Sequence, residues 1–314
     1  MTEEKEKDSH IFGPVPSRRL GRSLGVDLVP FKTCTYDCIY CQLGPTTCKT
    51  LERKEWIPTE ELIKQVRDII PRSRPDYVTL SGSGEPTLHS EIGKIIDEIK
   101  STTDIPLAVL TNGSLLWDPD VRDAVLNADL LIPSLDAGTE ERWLEVNVPH
   151  EDLSFEQMVG GLLDLRKHYR GEVWLEIFLL AGLTATEDEV DEMIKLTRKM
   201  NFDRIQLNTV TRPPSKSSAL PVPSDQMLRY SARFGPGAEV IADYQSVHDM
   251  PSFAAGREDV LEMLRHRPCT LDDIAGGLRM HRNEAVKYVE ELMSRNEISI
   301  KEQNGRKYYV TRSG

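Results

Sequence analysis

The stretch PTEELIKQVRDIIPRSRPDYVTLSGSGEP, residues 58–86, contains one complete structural unit and shows how much of the chain is built. Its first half has apolar residues at every third or fourth position, which predicts an amphipathic helix ended by Pro71 and Pro75. The apolar run at 77–80 predicts a short buried strand, and the glycine-rich SGSGEP after it predicts a turn.

The same unit recurs along the chain after this stretch. Helices are predicted near 92–99 and 121–126, and capping boxes at Ser154 and Thr186 mark the starts of two more. Six strands alternating with helices predict a parallel sheet, either a barrel or an open doubly wound sheet. In both, ligands bind at the carboxyl ends of the strands. The remaining strands are predicted near 24–30, 107–110, 130–135, 173–180 and 204–210.

Length and composition set the class of protein. The chain has 314 residues, 39% of them hydrophobic, which suits one large domain with a small appendage. The net charge of −12 argues against a surface that coats nucleic acid indiscriminately.

Residues 1–10 are polar and are predicted to form a flexible tail. The sequence lacks an 18-residue apolar run and its first residues are charged, so we expect a cytoplasmic protein with no membrane association.

The composition changes in the last third of the chain. Residues 211–225 are rich in proline and serine, and a linker near 250–256 precedes three predicted helices. Asn304 and Gly305 then separate two strand-like runs, a hairpin signal. Three helices followed by a hairpin predict a winged helix-turn-helix domain at 257–314, after a catalytic domain at 11–250. The net charge is +1 for 257–314 and −13 for the rest.

Three of the five cysteines fall within eight positions, at Cys34, Cys38 and Cys41. Such clustering fits a metal site better than a disulfide framework. The three thiolates could bind zinc, with Cys48 as the fourth ligand, or three of the four irons of a [4Fe-4S] cluster, with one iron left open. We expect Cys269, in the small domain, to be structural.

The segment CTYDCIYC, residues 34–41, resembles the signature of the radical S-adenosylmethionine (SAM) superfamily. The resemblance covers roughly residues 13–235. Within the superfamily, the chain resembles the branch of uncharacterised iron-sulfur oxidoreductases related to the wybutosine-forming tRNA enzyme. The resemblance to the superfamily implies a partial (β/α)6 TIM-like barrel. The other motifs that carry it are GPVPSRRLGRSLGVDL at 13–28, SGSGEPTLH at 81–89, TNG at 111–113, PSLDA at 133–137, VNVPH at 146–150 and LNTVTRPP at 207–214.

This resemblance implies both the cofactors and the reaction. The three cysteines would bind the [4Fe-4S] cluster, and its open iron would bind SAM. An electron from an external donor of the ferredoxin or flavodoxin type would then cleave SAM to a 5′-deoxyadenosyl radical. The residues that match the family's cofactor-binding positions are Tyr40, Ser83, Gly84, Glu85, Thr111, Asn112, Ser134, Asp136, Leu180 and Asn208.

The substrate is less clearly indicated than the cofactors. Candidates to bind it, because they are cationic or lie in loops at the same end, are Arg18, Arg19, Arg22, His150 and Arg212. Asn147 is followed by valine where the family usually has arginine, and the additional upstream cysteines of the wybutosine enzyme are missing.

Three functions are therefore compared: an enzyme that modifies tRNA or other RNA, one that modifies or activates a protein or peptide, and a non-catalytic iron-sulfur or zinc regulator that binds DNA. The full set of strand-end motifs disfavours the regulator, because a sensor needs only the cysteines.

Overall fold

The computed structural model describes residues 9–242 and 256–312, apart from Arg279, His281 and Asn304. The strands are β1 (Ile11–Ser17), β2 (Gly21–Val26), β3 (Thr33–Cys34), β4 (Cys48–Lys49), β5 (Tyr77–Leu80), β6 (Leu107–Thr111), β7 (Leu130–Pro133), β8 (Glu172–Leu179), β9 (Arg204–Thr209), β10 (Ala238–Val240), β11 (Ile298–Gln303) and β12 (Arg306–Thr311). The helices are α1 (Thr59–Ser73), α2 (Ile92–Thr102), α3 (Pro119–Ala124), α4 (Glu140–Asn147), α5 (Phe155–His168), α6 (Glu187–Met200), α7 (Ser224–Phe234), α8 (Arg257–His266), α9 (Leu271–Gly277) and α10 (Arg282–Ser294).

The main sheet has eight strands in the order β1-β2-β5-β6-β7-β8-β9-β10. Every neighbouring pair from β2 to β10 is parallel, whereas β1 is antiparallel to β2. Among the described residues, β1 and β10 are the two edges and do not pair with each other. The predicted α/β class with a mostly parallel sheet is confirmed, and the arrangement is consistent with a partial TIM-like barrel.

The core forms because the helix-covered face of the parallel strands is apolar. Val78 and Leu80 of β5 and the isoleucines of α2 are buried, and they belong to one continuous cluster that runs through the sheet and its helices. This packing holds the carboxyl ends of the strands together at one end of the sheet.

The sequence missed β1 and misplaced one helix end. β1 contains Pro14 and Pro16, which interrupt the strand pattern, and it pairs with a single neighbour at the sheet edge, where proline is tolerated. α1 continues through Pro71 to Ser73, so the predicted stop at that proline was wrong. β2 begins at Gly21, earlier than predicted, because its first residues are polar or glycine.

Residues 256–312, which we call the C-terminal segment, contain three helices and an antiparallel hairpin in the predicted order. Its assignment as a winged helix and the predicted domain boundaries stay predictions. Most of the predicted linker, the end of the predicted catalytic domain, Asn304 in the hairpin turn and most of the predicted tail lie outside the described residues. No helix in the described part of the chain is long and apolar enough to cross a membrane.

The C-terminal segment packs against the edge strand β1. Phe12 and Val15 of β1 are buried in a hydrophobic cluster with residues of α8, α9 and α10. Cys269 is fully buried, and its backbone exchanges two hydrogen bonds with Tyr309 of β12. The Tyr308 hydroxyl donates to the carbonyl of Thr211, in the loop after β9. The segment therefore contacts both the edge strand β1 and the loop after β9.

We predict that Gly25→Ala destabilises the protein, because a Cβ at this position would lie 2.0 Å from Cζ of Phe12. Overpacking of this kind costs about 1–3 kcal/mol. Urea unfolding followed by circular dichroism measures the loss. Gly160→Ala in α5 is the matched control, since nothing lies within 4 Å of its added Cβ and alanine favours a helix. Equal stability of Gly25→Ala and the native protein would contradict the placement of the Phe12 ring.

Candidate cofactor and substrate site

A cavity of about 420 Å³ opens at the carboxyl ends of the parallel strands. The three cysteines predicted to bind the cluster line it. Seven of the ten predicted cofactor-binding residues line it as well: Tyr40, Gly84, Glu85, Thr111, Asn112, Ser134 and Asn208. The fold thus brings together, in one cavity, residues that lie at or just after the carboxyl ends of the five strands β3, β5, β6, β7 and β9.

Residues 27–47, between β2 and β4, carry the three cysteines, and we call them the cysteine loop. Backbone hydrogen bonds join this loop to the turn after β5. The Lys32 N–H donates to the Ser83 carbonyl at 2.7 Å, and the Glu85 N–H donates to the Thr33 carbonyl at 3.1 Å. A Cβ on Gly84 would lie 1.8 Å from the Thr33 carbonyl oxygen. Glycine is therefore required at position 84 for contact with the cysteine loop, a reason that the sequence did not reveal.

Burial disfavours the charged form of two of the thiols. It raises the pKa of Cys34 to about 12 and raises the pKa of Cys38 well above its ordinary value. Lys32 is itself buried and donates from Nζ to Cys41 Sγ at 3.1 Å. Cysteine must be deprotonated to bind a metal, so cluster binding here would release protons from these thiols.

The donor set distinguishes a cluster from a zinc ion. Tetrahedral zinc needs four ligands around one point, with sulfur at about 2.3 Å. Within the described ranges, no three His, Cys, Asp or Glu side chains are grouped to hold a single ion. The three thiols nevertheless face one cavity, and Cys48 does not line it. This arrangement fits a cluster, in which each cysteine binds a different iron.

Glu85 joins the turn after β5 to the end of β6. Its Oε1 accepts from the Thr87 N–H at 3.1 Å and from the Thr111 hydroxyl at 2.6 Å, and its Oε2 accepts from the Asn112 N–H at 2.8 Å. Burial raises the pKa of Glu85, and these donors act in the opposite direction. The Asn112 side chain donates to the Thr35 hydroxyl at 2.7 Å, which places the amide beside the cysteine loop.

A second polar network lies behind Cys38. Asp136 accepts from the Tyr40 hydroxyl and, at 2.8 Å, from Asn147 Nδ2. Burial raises the pKa of Asp136 to about 6. Asn147 Nδ2 also lies 3.4 Å from Cys38 Sγ, and its Oδ1 is buried with no hydrogen-bond partner among the described residues. An acceptor left open beside a thiol fits a site that is completed by a bound group.

Three predicted cofactor-binding residues do not line the cavity. The Ser83 hydroxyl donates to Asp27 at 2.9 Å, Asp136 points into its network with Tyr40, and Leu180 is fully buried in the core. Conversely, Asn147 was not among the predicted site residues, because the only feature interpreted in its segment was the missing arginine. Asn147 lies next to a predicted loop at the carboxyl end of the sheet, and this position could have indicated that it belongs to the site.

The predicted substrate-binding residues separate into two groups. Arg18, Arg19 and Arg212 line the cavity, and Arg19 forms a 2.5 Å ion pair with Glu176 of β8. Arg22 instead donates to the Arg74 carbonyl at 2.6 Å, because β2 carries it toward the opposite end of the sheet. His150 lines neither this cavity nor the next, so the structure does not place these two residues at the site.

A second cavity of about 430 Å³ adjoins the first and shares Arg18, Thr211 and Arg212 with it. Its other lining residues come mainly from α9 and the β11–β12 hairpin of the C-terminal segment. The two cavities together form a path from the cysteines to that segment, and the C-terminal segment therefore belongs to the surroundings of the site.

The chain is similar in sequence to several known proteins. A 38% identical relative, named GTPase Obg, from Brachyspira hyodysenteriae matches 94% of this chain, but the chain spans only 43% of that relative. The UPF0026 protein MJ1312 of Methanocaldococcus jannaschii is 38% identical over 71% of this chain and 70% of its own length. A UPF0026 protein of Helicobacter pylori is 31% identical over 97% of this chain and 98% of its own length.

Among solved structures, a radical SAM methyltransferase from Sphaerobacter thermophilus superposes with a TM-score of 0.53. The superposition covers 69% of this chain and 65% of the methyltransferase, at 15% sequence identity, and therefore shows likeness of fold alone. The sequence profile of the Radical SAM superfamily matches residues 28–205, more than half of the chain and including all three clustered cysteines. The protein is therefore a member of the radical SAM superfamily, and the [4Fe-4S] cluster and SAM are its cofactors.

Proposed function

We propose that this protein reductively cleaves SAM and uses the resulting radical to modify a nucleoside of tRNA or another RNA. The observation that supports the first part is the single cavity shared by Cys34, Cys38, Cys41 and the polar strand ends. The cluster, when bound, supplies the electron that converts SAM to methionine and a 5′-deoxyadenosyl radical. An external ferredoxin or flavodoxin would deliver that electron.

The chain's own residues position the reactants and exclude water. Tyr40 stacks on Phe178 with ring centroids 4.1 Å apart, and this pair forms an apolar wall of the cavity. Lys32 offsets negative charge at the cysteine ligands, and Glu85 holds the strand end at Asn112 in place. An apolar wall with a few fixed polar groups is typical of small-molecule sites.

The charge distribution favours an RNA substrate over a peptide. The chain as a whole carries a charge of −12, yet positive side chains exceed carboxylates along the two cavities. The cations there are Arg18, Arg19, Arg212, Arg267, Arg282, Arg306 and Lys307, and the carboxylates are Glu85, Glu176, Asp272 and Asp273. A local excess of arginine and lysine suits the phosphates of RNA.

The C-terminal segment would act as a winged helix domain that grips the RNA beside the cavity. A protein substrate docked by the same domain is the second candidate, and the acidic surface of the barrel favours it. A DNA-binding regulator without catalysis is disfavoured, because it would not need Glu85 and Asn112 arranged around the cysteine loop. The link to the wybutosine branch remains a proposal from motif similarity.

We predict that Cys38→Ala abolishes binding of the cluster, because one iron would lose its ligand. Iron content and visible absorption after anaerobic reconstitution measure this loss. Cys48→Ala, in the short strand β4 that pairs with β3, is the matched control and should retain the iron, since Cys48 does not line the cavity. The assignment of an iron-sulfur cluster to the three cysteines would be contradicted if the native protein contained zinc and both variants lost it.

We predict that Glu85→Gln weakens SAM binding by about ten- to a hundredfold while iron content is retained. Each Glu85 oxygen accepts a backbone N–H, so one of these donors would face the glutamine NH₂. The mispaired donor would shift the strand end at Asn112, and the loss of one hydrogen bond from there to charged SAM costs about 1.5–3 kcal/mol of binding free energy. Equilibrium dialysis of labelled SAM against reconstituted protein measures the dissociation constant. Exposed Glu151→Gln is the control, and an unchanged constant for Glu85→Gln would refute the role.

The substrate class is tested by mass spectrometry of cells with and without the gene. We expect one modified nucleoside to disappear from the RNA of the deletion strain, and to return with the native gene but not with Cys38→Ala. Extracted RNA from the deletion strain should also yield that nucleoside when incubated with reconstituted protein, SAM and dithionite. A changed peptide with unchanged nucleosides would favour the protein substrate, and no change in either would overturn the RNA proposal.

A further inference from the structure

We propose that Arg18 of the β1–β2 turn and Arg267 of the C-terminal segment together form a phosphate-binding subsite within the cavity. The inference deepens the proposed function, because it names the group of the substrate that the cavity recognises and gives the C-terminal segment a part in binding it. Both arginines line the cavity that contains the cysteines. Arg267 was not among the predicted site residues.

Arg18 is held in place by uncharged oxygen atoms. Its Nη1 donates to Asn208 Oδ1 at 2.9 Å and to the Ile241 carbonyl at 3.2 Å, and its Nη2 donates to the Thr211 hydroxyl at 3.0 Å. These three acceptors lie at the ends of β9 and β10. They orient the guanidinium without neutralising it, so its charge remains available to a ligand.

Two carboxylates that share the cavities with Arg18 are engaged by other groups. Glu176 accepts from Arg19 at 2.5 Å and from Asn208 Nδ2 at 2.8 Å. Asp273 accepts from the Thr270 N–H at 2.9 Å and lies 3.7 Å from Arg212. In the described part of the chain, neither of these carboxylates forms an ion pair with Arg18.

Arg267 lines the cavity from the C-terminal segment. Its Nη2 donates to the Pro16 carbonyl of β1 at 3.2 Å, and its Nε is buried with no hydrogen-bond partner in the described part of the chain. Because Nε is buried, an anion in the cavity would accept from the terminal N–H groups of Arg267. The C-terminal segment thus supplies a donor that the barrel alone lacks.

The two guanidinium groups also disfavour each other's charge. Burial, Arg212 and Arg267 lower the pKa of Arg18 to about 10, whereas Glu176 opposes this effect. Clustered cations in a buried cavity are costly unless an anion joins them. Arginine binds phosphate through two parallel N–H groups, and a tetrahedral anion has enough oxygen atoms to accept from two guanidinium groups at once.

The subsite is tested with inorganic phosphate and the as-purified full-length protein, without SAM. Sodium phosphate should raise the melting temperature above that in sodium chloride of equal ionic strength, because the ligand binds the folded state. Arg18→Gln and Arg267→Gln should each weaken the apparent affinity at least about tenfold, as the loss of one charged pair implies. Arg18→Lys, which keeps the charge but not the fork, should bind with intermediate affinity. Exposed Arg265→Gln, which lines neither cavity, is the matched control.

Two further ligands identify the source of the phosphate. If RNA is the source, a short RNA oligonucleotide should bind more tightly than mixed nucleoside 5′-monophosphates, and both arginine variants should lose that advantage. Equal affinity for the mononucleotides would indicate a free nucleotide and still support the subsite. Unchanged phosphate binding in both folded variants, or tighter arginine-dependent binding of succinate, would overturn it. Because the measurement needs neither cluster nor SAM cleavage, its failure is separable from failure of the proposed reaction.

Discussion

The site depends on the backbone contact between the cysteine loop and the turn after β5. Two hydrogen bonds join these segments, one from Lys32 to Ser83 and one from Glu85 to Thr33, and the absence of a side chain at Gly84 makes that approach possible. From this contact, the carboxylate of Glu85 extends the connection to β6. The cysteines are therefore positioned by neighbouring strand ends, and not only by their own spacing along the chain.

Sequence patterns predicted the parallel part of the fold closely, because each of its strands and helices has its own local pattern of apolar residues. The strand at 77–80 has the predicted bounds, and the other parallel strands differ by a few residues. β1 escaped prediction, since Pro14 and Pro16 interrupt its alternation and its buried face depends on the C-terminal segment. A strand that is apolar only toward a distant part of the chain has no local signature.

For the site, the motifs indicated which residues gather but not which way each one points. Glu85 and Asn112 line the cavity as expected, whereas Ser83 turns to Asp27. The strand-end position of Ser83 is compatible with either direction, because a short polar side chain there can satisfy a buried carboxylate or face a ligand. Arg267 could not be found from the sequence, since only the docking of the C-terminal segment on β1 brings it to the cavity.

The packing of β1 has a consequence for the order in which the chain folds. Phe12 and Val15 leave the ribosome early, but the helices that cover them are synthesised after the whole barrel. Until then, one edge of the sheet presents an unprotected apolar face, which is a common starting point for aggregation. Until those helices are made, the two cavities also lack Arg267 and the lining residues of α9 and the β11–β12 hairpin, so the surroundings of the site are completed last.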